Sequence, residues 1–542
     1  MYKRQILQAP VDLLWNGGVG TYVKATTESN ADVGDKNNDT VRVDADELRC
    51  RVIGEGGNLG LTQRGRIQFA LRGGRLNTEA IDNSAGVDCS DHEVNIKILL
   101  DRVVRDGDLT GKQRNALLAE MSDDIAARVL RNNDSQTRAL TAEIDAAAPV
   151  RDIHLRYLDA LERSGRLDRA LELLPTAKDL TDRGESARLT TPELAVLLAY
   201  TKIDLFEQLL ASDLPEDPFL SQELHQHFPD ALRSRFAAQI ADHPLRREII
   251  ATRVTNRLVD RAGTTFVFRM IEETGLGAAD IARAYAAARE IFGLPSLWTQ
   301  IGELDGAVPS TVQHRLFFDV RRVVELASRW LLRHRRPPLD IAATVALFSP
   351  GVPELTDRLP ELLPTAVADT LAQAVGRHVD AGVPEPLARR VAALPTALSV
   401  LDITEIAAAS GRPLADAATI HFALGEHLLL NWLYRLIMEL PFDDRWQALA
   451  RGTLRDSLFE VHAALTADVL REGQPGSSPQ DQIRRWLGRT AATTNHCLRV
   501  LDDIASGERA DLATLTVALR EVGALAQAEP APTDRPATRA CS

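Results

Sequence analysis

Cysteine is scarce in this sequence. It has four cysteines in 542 residues, and no two of them are spaced as Cys-x-x-Cys. Disulfide frameworks and clustered zinc or iron–sulfur sites need several closely spaced cysteines. The sequence therefore predicts no metal centre, and it indicates a protein of a reducing compartment, the cytoplasm.

Long uncharged apolar runs and an excess of positive charge are also missing. The most apolar long stretch, residues 420–440, contains His421 and Glu426, which favours a buried helix over a membrane span. The net charge is −13, which disfavours binding to nucleic acid or to an anionic membrane. We therefore expect neither nucleic acid nor a membrane as partner.

Two segments near the N-terminus have the composition of ligand-binding loops. A short apolar run at 51–53 leads into Gly-Glu-Gly-Gly-Asn at 54–58, and a second polar turn covers 83–90. In an open α/β sheet, ligands bind outside the carboxyl ends of the strands. Glycine lets the backbone approach a ligand closely, and asparagine offers both a donor and an acceptor. Together the two turns are the candidate binding site.

The segments around these turns are predicted to alternate between strand and helix. Residues 11–15 are predicted as a buried parallel strand, 48–53 as the next strand and 75–81 as a third. A short helix is predicted over 62–71, and Gly73 has the position expected after a helix C-terminus.

Ser90 and Glu93 have the spacing of a Ser-x-x-Glu capping box, which predicts a helix that begins at Ser90 and runs to about Val104. As a simple N-cap, Ser90 would serve the backbone alone. A helix N-terminus also suits a carboxylate, because its N–H groups and the positive end of its dipole attract an anion. The two roles are compatible, since a hydroxyl can accept one hydrogen bond and donate another.

The histidines show no chelating pattern. His92 lies between two acidic residues, but adjacent helical positions point in different directions, so a solvated first-turn side chain is predicted. His421 and His427 are six residues apart and do not share a helix face. His225 and His227 are two residues apart, in a segment without a further ligand nearby in sequence.

The two turns resemble a known family, the glutamate dehydrogenases. Glu-Gly-Gly-Asn-Leu-Gly-Leu-Thr at 55–62 is similar to the family segment Glu-Gly-Ala-Asn-x-Pro-Thr-Thr. Asn-Ser-Ala-Gly-Val-Asp-Cys-Ser-Asp-His-Glu at 83–93 resembles the family segment Asn-Ala-Gly-Gly-Val-x-x-Ser-x-x-Glu, without a gap. Gly60 in place of proline, and Trp-Asn-Gly-Gly-Val-Gly-Thr at 15–21, are similar to the large NAD-specific bacterial branch.

The resemblance extends beyond these turns, through residues 199–205 and 250–257, and covers about residues 10–525. It implies an enzyme that oxidatively deaminates L-glutamate to 2-oxoglutarate and ammonia with NAD, and we expect it to be a homo-oligomer. The implied cofactor-binding residues, near the nicotinamide and its ribose, are Asn58, Asn83, Gly56 and Gly57. The implied substrate-binding residues are Ser90, which would bind the side-chain carboxylate, and Gly86 and Val87, which would line the pocket.

Other groups of the family have no counterpart in this sequence. Its catalytic lysine and aspartate and its glycine-rich dinucleotide fingerprint match no segment, and Lys24 and Lys97 match none of its catalytic motifs. We therefore assign no catalytic residue in this chain and expect these groups upstream, in a larger enzyme. We expect the larger enzyme to be active and this chain alone to be inactive.

Two alternative functions remain open. The first is another amino-acid dehydrogenase of the same superfamily, although a branched-chain or aromatic substrate would favour an apolar residue in place of Ser90, because an unpaired hydroxyl is costly. The second is a non-catalytic helical scaffold or regulatory protein, which the missing catalytic lysine supports.

The rest of the chain is predicted as successive helices. Thr-Thr-Pro-Glu at 190–193 is a helix start followed by apolar positions at i, i+3 and i+4 spacing, and a second such stripe follows Ser310. The fold class is mainly α with an N-terminal α/β remnant, a partial Rossmann-like parallel sheet before a large all-helical domain. The predicted divisions are a non-family leader at 1–5, the C-terminal part of the catalytic domain at 6–149, a helical domain at 150–525 and a disordered tail at 526–542.

Overall fold

The computed structural model describes residues 2–145, 150–184, 187–442, 444–473, 477–507 and 510–526. They form two compact units. The first contains the described residues up to Tyr285 together with Leu332–Leu339, and the second contains those of Ala286–Leu331 and those from Asp340 onward. The predicted disordered tail lies outside the described residues, apart from Ala526, the last residue of a helix.

The described strands form two parallel pairs in the first unit. Their bounds are β1 Leu13–Asn16, β2 Val23–Lys24, β3 Val43–Asp44 and β4 Val52–Glu55. β1 pairs with β4 and β2 pairs with β3. Apolar side chains from β2, β3 and β4 form one core with Leu61 and Phe69. The prediction of a small α/β part with parallel strands is confirmed.

Two strand predictions were wrong in detail. The strand predicted at 11–15 is parallel, but it is not buried: Leu13 is 55% exposed and Trp15 is 61% exposed, because β1 pairs with β4 along one edge. The third predicted strand, at 75–81, is reduced to a single bridge between Val52 and Arg75. A helix begins there instead, at Glu79, since Thr78 and an acidic first turn favour a helix start.

The short helices of this part are α1 Tyr2–Leu7, α2 Asn30–Val33, α3 Gln63–Leu71 and α4 Glu79–Asp82. α3 confirms the helix predicted at 62–71. The Thr62 hydroxyl accepts the N–H of Gly65 as an N-cap. Gly73 follows the helix with a φ of 89°, a left-handed conformation that suits glycine.

The remaining described chain is helix after helix. In chain order the bounds are α5 Ser84–Arg105, α6 Gly111–Glu120, α7 Ser122–Asp145, α8 Val150–Arg163, α9 Ala177–Asp182, α10 Thr191–Leu210, α11 Ser221–His227, α12 Asp230–Arg233, α13 Ala237–Ala241, α14 Arg246–Ala262, α15 Phe266–Thr274, α16 Ala278–Ile291, α17 Leu294–Gly302, α18 Ser310–His334, α19 Ile341–Phe348, α20 Gly351–Leu362, α21 Thr365–Asp380, α22 Glu385–Ala397, α23 Val400–Ser410, α24 Leu414–His427, α25 Leu430–Glu439, α26 Arg445–Glu472, α27 Pro479–Arg489, α28 Ala491–Ser506 and α29 Leu512–Ala526.

The start of α10 and the apolar stripes of α10 and α18 agree with the predictions from the sequence. α10 begins after Thr190, whose backbone N–H and hydroxyl both donate to the Glu193 carboxylate. The apolar stripe predicted for this helix is buried, as is the stripe of α18. The apolar stretch at 420–440 buries one side only, and it is divided into α24 and α25 at Leu429, which has a φ of 55°.

Within the described residues, no individual helix has both the length and the apolar composition of a membrane span. α22 and α23 reach that composition jointly, with a bend of 59° between them.

Candidate functional site

Two loops pack against each other after the carboxyl ends of β1 and β4. The carbonyl oxygen of Asn16 accepts the N–H of Gly57 at 2.9 Å. A Cβ at Gly57 would lie 2.2 Å from the carbonyl oxygen of Gly18, and one at Gly60 would lie 1.6 Å from Nδ2 of Asn16. Glycine is therefore required at residue 57, where the two backbones touch, while a side chain at residue 60 would displace the side-chain amide of Asn16.

The indole of Trp15 covers Gly54 of β4 and Gly56 of the loop that follows β4. A Cβ at Gly54 or at Gly56 would lie 2.5 Å from an atom of this ring. Of the two glycines predicted to contact the cofactor, Gly57 thus touches the first loop and Gly56 lies against the indole of Trp15. In the sequence Trp15 is part of a motif at the end of a predicted strand, and nothing in that local pattern indicates this contact.

The loop between Glu55 and Gly60 is anchored by buried charges. Glu55 is fully buried, and its carboxylate accepts hydrogen bonds from Nε and Nη2 of Arg66 at 2.7 and 2.9 Å. Burial raises the pKa of Glu55, and the guanidinium of Arg66 opposes that rise. The backbone N–H of Glu55 donates to the Asp82 carboxylate at 2.9 Å. Sequence reasoning missed Arg66 and Asp82, because their partners are 11 and 27 residues away.

The two predicted asparagines meet. Nδ2 of Asn83 donates to Oδ1 of Asn58 at 3.1 Å, across 25 residues of sequence. Leu59, next to Asn58, has a φ of 57°, which is rare for a leucine and typical of a position held by its surroundings. The structure therefore joins the two turns that the sequence marked as one candidate site.

These amides fit the polar groups of a nicotinamide nucleotide. Their mutual hydrogen bond uses one donor of Asn83 and one acceptor site of Asn58. A side-chain amide has two donor hydrogens and two acceptor lone pairs, so each residue retains capacity for a carboxamide or a ribose hydroxyl. Asn58 is exposed and Asn83 is half-buried, so a ligand can reach both.

The predicted capping role of Ser90 was wrong. α5 begins at Ser84 with Asn83 as its N-cap residue, and Ser90 is in its second turn. At 1.5 Å per residue, Ser90 lies roughly 9 Å along the axis from the helix start. The N–H groups that attract an anion therefore belong to the turn that begins at Ser84, and Ser90 can offer a ligand only its hydroxyl.

The substrate-binding residues predicted on α5 share one surface. Ser90 follows Gly86 by four residues and Val87 by three, so the three positions lie on one helix face. All three are exposed, Val87 to 77%. A Cβ at Gly86 would lie 3.8 Å from Oδ1 of Asn83, which connects this face to the asparagine pair.

The prediction for His92 was also wrong. Its side chain is buried, and its ring stacks on that of His227, with 4.6 Å between the ring centroids. His92 lies on the face of α5 that also buries Asn95 and Ile96. The sequence signal was present, because apolar positions continue at i+4 and i+7 from His92.

The lysines near the site are paired with carboxylates. Lys24 of β2 forms an ion pair with Asp44 of the neighbouring strand, and Lys97 of α5 forms one with Glu93. Among the described residues, no group of three or more histidine, cysteine, aspartate and glutamate side chains is arranged to hold a metal ion.

Comparison with known proteins gives two family matches. The model for "Glutamate dehydrogenase, C-terminal" matches residues 186–524. The model for "Bacterial NAD-glutamate dehydrogenase, catalytic domain" matches residues 2–143. The second match contains every candidate residue of the two loops and α5, and it includes most of the segment predicted as a leader.

Three curated relatives carry the name NAD-specific glutamate dehydrogenase. Those of Pseudomonas aeruginosa and Mycobacterium tuberculosis are each 44% identical over 523 residues, which is 96% of this chain. That of Halomonas elongata is 43% identical over 530 residues, 97% of this chain. In all three the match covers 32% of the relative, so the chain spans about a third of their length.

Proposed function

The chain belongs to the glutamate dehydrogenase family, and from that membership we propose that it forms one wall of the nicotinamide and glutamate pocket of an NAD-dependent enzyme. The proposed reaction is the oxidative deamination of L-glutamate to 2-oxoglutarate and ammonia. The observation that carries the proposal is the 3.1 Å hydrogen bond between Asn58 and Asn83, which unites the two segments in which the resemblance is most specific.

Each site residue has a proposed role. Bound NAD accepts the hydride from the substrate. Asn58 and Asn83 orient the carboxamide and ribose through their remaining donors and acceptors. Ser90 donates its hydroxyl hydrogen to the side-chain carboxylate of glutamate, a bond strengthened by the charge of the acceptor. Gly86 leaves space for the substrate on the same helix face.

The groups that transfer protons are proposed to lie outside this sequence. A catalytic acid or base must reach the substrate amine within hydrogen-bond distance. Lys24 and Lys97 are engaged by Asp44 and Glu93, which makes them poor candidates. We assign the catalytic lysine and aspartate of the family to a part of the enzyme upstream of these residues.

We also propose the cellular compartment, the domain arrangement and the oligomeric state of the enzyme. Cys50, Cys89 and Cys497 are free thiols, which fits a reducing cytoplasm. The parallel pair of β1 and β4 fits the edge of a Rossmann-like sheet at 6–149, followed by a helical domain at 150–525. The exposed apolar side chains of Leu13, Trp15 and Val19 fit a homo-oligomer, since such patches mark interaction surfaces.

Two substitutions test the proposal in an active enzyme that contains this chain. Ser90→Ala is expected to raise KM for glutamate more than KM for NAD, with kcat/KM reduced roughly tenfold to hundredfold, because a bond to a charged group is lost. Asn83→Ala is expected to raise KM for NAD. Steady-state kinetics with each substrate varied separates the two. Equal effects of Ser90→Ala on both substrates would reject its assignment to glutamate.

A further inference from the structure

The inner face of α5 rests on the segment 221–243. His92 stacks on His227 of α11, with ring centroids 4.6 Å apart and planes within 19°. Nδ2 of Asn95 lies 3.5 Å from Nε2 of His227, and Nε2 of His243 lies 3.1 Å from the carbonyl oxygen of Asn95. All four side chains are buried, so this half of α5 is attached to residues more than 120 positions later in the chain.

The contact depends on uncharged imidazole rings. Burial lowers the pKa of His92, His227 and His243, so all three rings are neutral at pH 7, and His92 and His227 stack without mutual repulsion. His243 accepts the N–H of Leu245 at Nδ1, at 3.1 Å. That bond leaves the proton on Nε2, where it is donated to Asn95.

Two half-buried arginines of α14 hold α11 in place through a buried carboxylate. Glu223 is fully buried on α11. Its carboxylate lies 2.9 Å from Nη1 of Arg257 and 3.4 Å from Nε of Arg253, and Nη2 of Arg257 donates to Oε1 of Gln226 at 2.6 Å. Both arginines come from residues 250–257, the segment whose resemblance to the family had no assigned role.

We propose that His227 is a positioning residue for the glutamate pocket, which through His92 and Asn95 sets the placement of the helix face that carries Ser90. The identity of the ligand rests on the proposed function; the attachment of α5 to α11 does not. His227 acts through His92, because the exposed face of α5 and the buried face that His227 contacts are opposite sides of one helix.

Hydrogen exchange at the backbone amides of residues 84–95 measures the attachment without a ligand. His227→Ala removes the stacked ring and is expected to accelerate exchange in this segment about tenfold, because opening becomes local and easier. His227→Phe keeps a ring that can stack, and it is expected to retain slow exchange. His225→Ala, on the same helix but outside the stack, is the matched control.

Two results of the exchange measurement would overturn the proposal. One is exchange at 84–95 that is equally slow in His227→Ala and His225→Ala. The other is an equal acceleration over the whole first unit, since that would indicate general destabilisation. His92→Phe repeats the test from α5 and is expected to behave like His227→Phe, so a His227→Ala chain that fails to fold leaves two informative variants.

Kinetics in an active enzyme that contains this chain gives a second measurement. His227→Ala is expected to raise KM for glutamate about threefold to tenfold, the range of indirect positioning effects, and to leave KM for NAD within about twofold. His227→Phe is expected to restore the value. An equal rise in both KM values would overturn the proposal. A wild-type enzyme that fails to oxidise glutamate would refute the proposed function instead, and the exchange measurement would still decide whether His227 positions α5.

Discussion

Two glycines of the site serve different physical purposes. Gly57 touches the backbone of Gly18, so that a Cβ would meet a carbonyl oxygen at 2.2 Å. Gly86 lies on the exposed face of α5, where a Cβ would first meet Oδ1 of Asn83 at 3.8 Å, an ordinary contact. The fold requires glycine at residue 57, whereas at residue 86 only the proposed pocket requires it.

Alanine substitutions should separate these purposes. Gly86→Ala is expected to stabilise α5 by up to about 1 kcal/mol, because alanine is the better helix former, and to raise KM for glutamate. Gly57→Ala is expected to destabilise the first unit by about 1–3 kcal/mol, the cost of overpacking. Thermal melting of both variants checks the stabilities. A Gly86→Ala enzyme with unchanged KM would show that no ligand approaches this helix face.

At the scale of elements, the buried His421 and the half-buried His462 join α24 and α26 in the second unit. The rings of His421 and His462 are stacked, with centroids 3.5 Å apart and planes within 14°. Nε2 of His462 donates to the carbonyl oxygen of His421 at 2.7 Å. Burial lowers the pKa of His462 to about 4. Above the unfolded pKa of 6.5 the ring is neutral in both states and adds no pH dependence.

Stability should therefore fall on acidification. Between pH 6.5 and pH 4 the unfolded chain binds a proton at His462 that the folded chain does not, so the free energy of unfolding decreases as the pH falls. The glutamine in His462→Gln does not bind a proton in this pH range. The variant is therefore expected to lose less stability than the wild-type chain between pH 7 and pH 5, and the difference is at most about 1.4 kcal/mol per pH unit. Urea unfolding at several pH values measures this. An unchanged dependence of the free energy of unfolding on pH would mean that His462 binds its proton over the same pH range in the folded and unfolded chain. His225→Gln serves as the control.

At the scale of the molecule, the first compact unit continues past residue 150. Nε2 of Gln63 on α3 donates to the carbonyl oxygen of Pro192 on α10 at 3.2 Å. Near the end of α5, Arg102 forms an ion pair with Asp242 at 2.7 Å. Residues beyond position 150 therefore contact α3 and α5, the helices that follow the loops of the candidate site.

A chain that starts at residue 150 should show the cost of removing those contacts. It lacks His92, Gln63 and Arg102, the partners of His227, Pro192 and Asp242. One side of α10 and one side of α11 therefore become exposed. We expect a helical circular-dichroism spectrum with a lower melting temperature than that of the 542-residue chain. An unchanged melting temperature would indicate that residues 150–525 are stable without α5.

The 542-residue chain is expected to lack glutamate dehydrogenase activity by itself. Its described lysines near the site are in ion pairs, and no dinucleotide fingerprint occurs in the sequence, so NAD should bind weakly. An absorbance assay of NADH formation at saturating glutamate tests this, with a relative of full length as the active reference. Turnover near the reference rate would make Lys24 and Lys97 the first residues to substitute.

The sequence by itself determined the family, the mainly helical class and many helix starts. The resemblance drawn from residues 55–62 and 83–93 is confirmed by the family matches. The start of α10 at Thr190 and the buried stripe of α18 followed from short-range rules, because capping and periodicity act within a few residues. Such interactions involve residues that are close in sequence, so a single sequence is enough to predict them.

Only the tertiary structure showed where contacts between residues far apart in sequence change the helix start or the burial that the local pattern predicts. Ser90 has the spacing of a cap, yet α5 begins earlier, where Asn83 bonds to Asn58. His92 lies among acidic residues and is nonetheless buried, because its partner His227 is 135 positions away in sequence. The physical reason is the same in both cases: burial and a hydrogen bond across the fold outweigh preferences that involve only neighbouring residues.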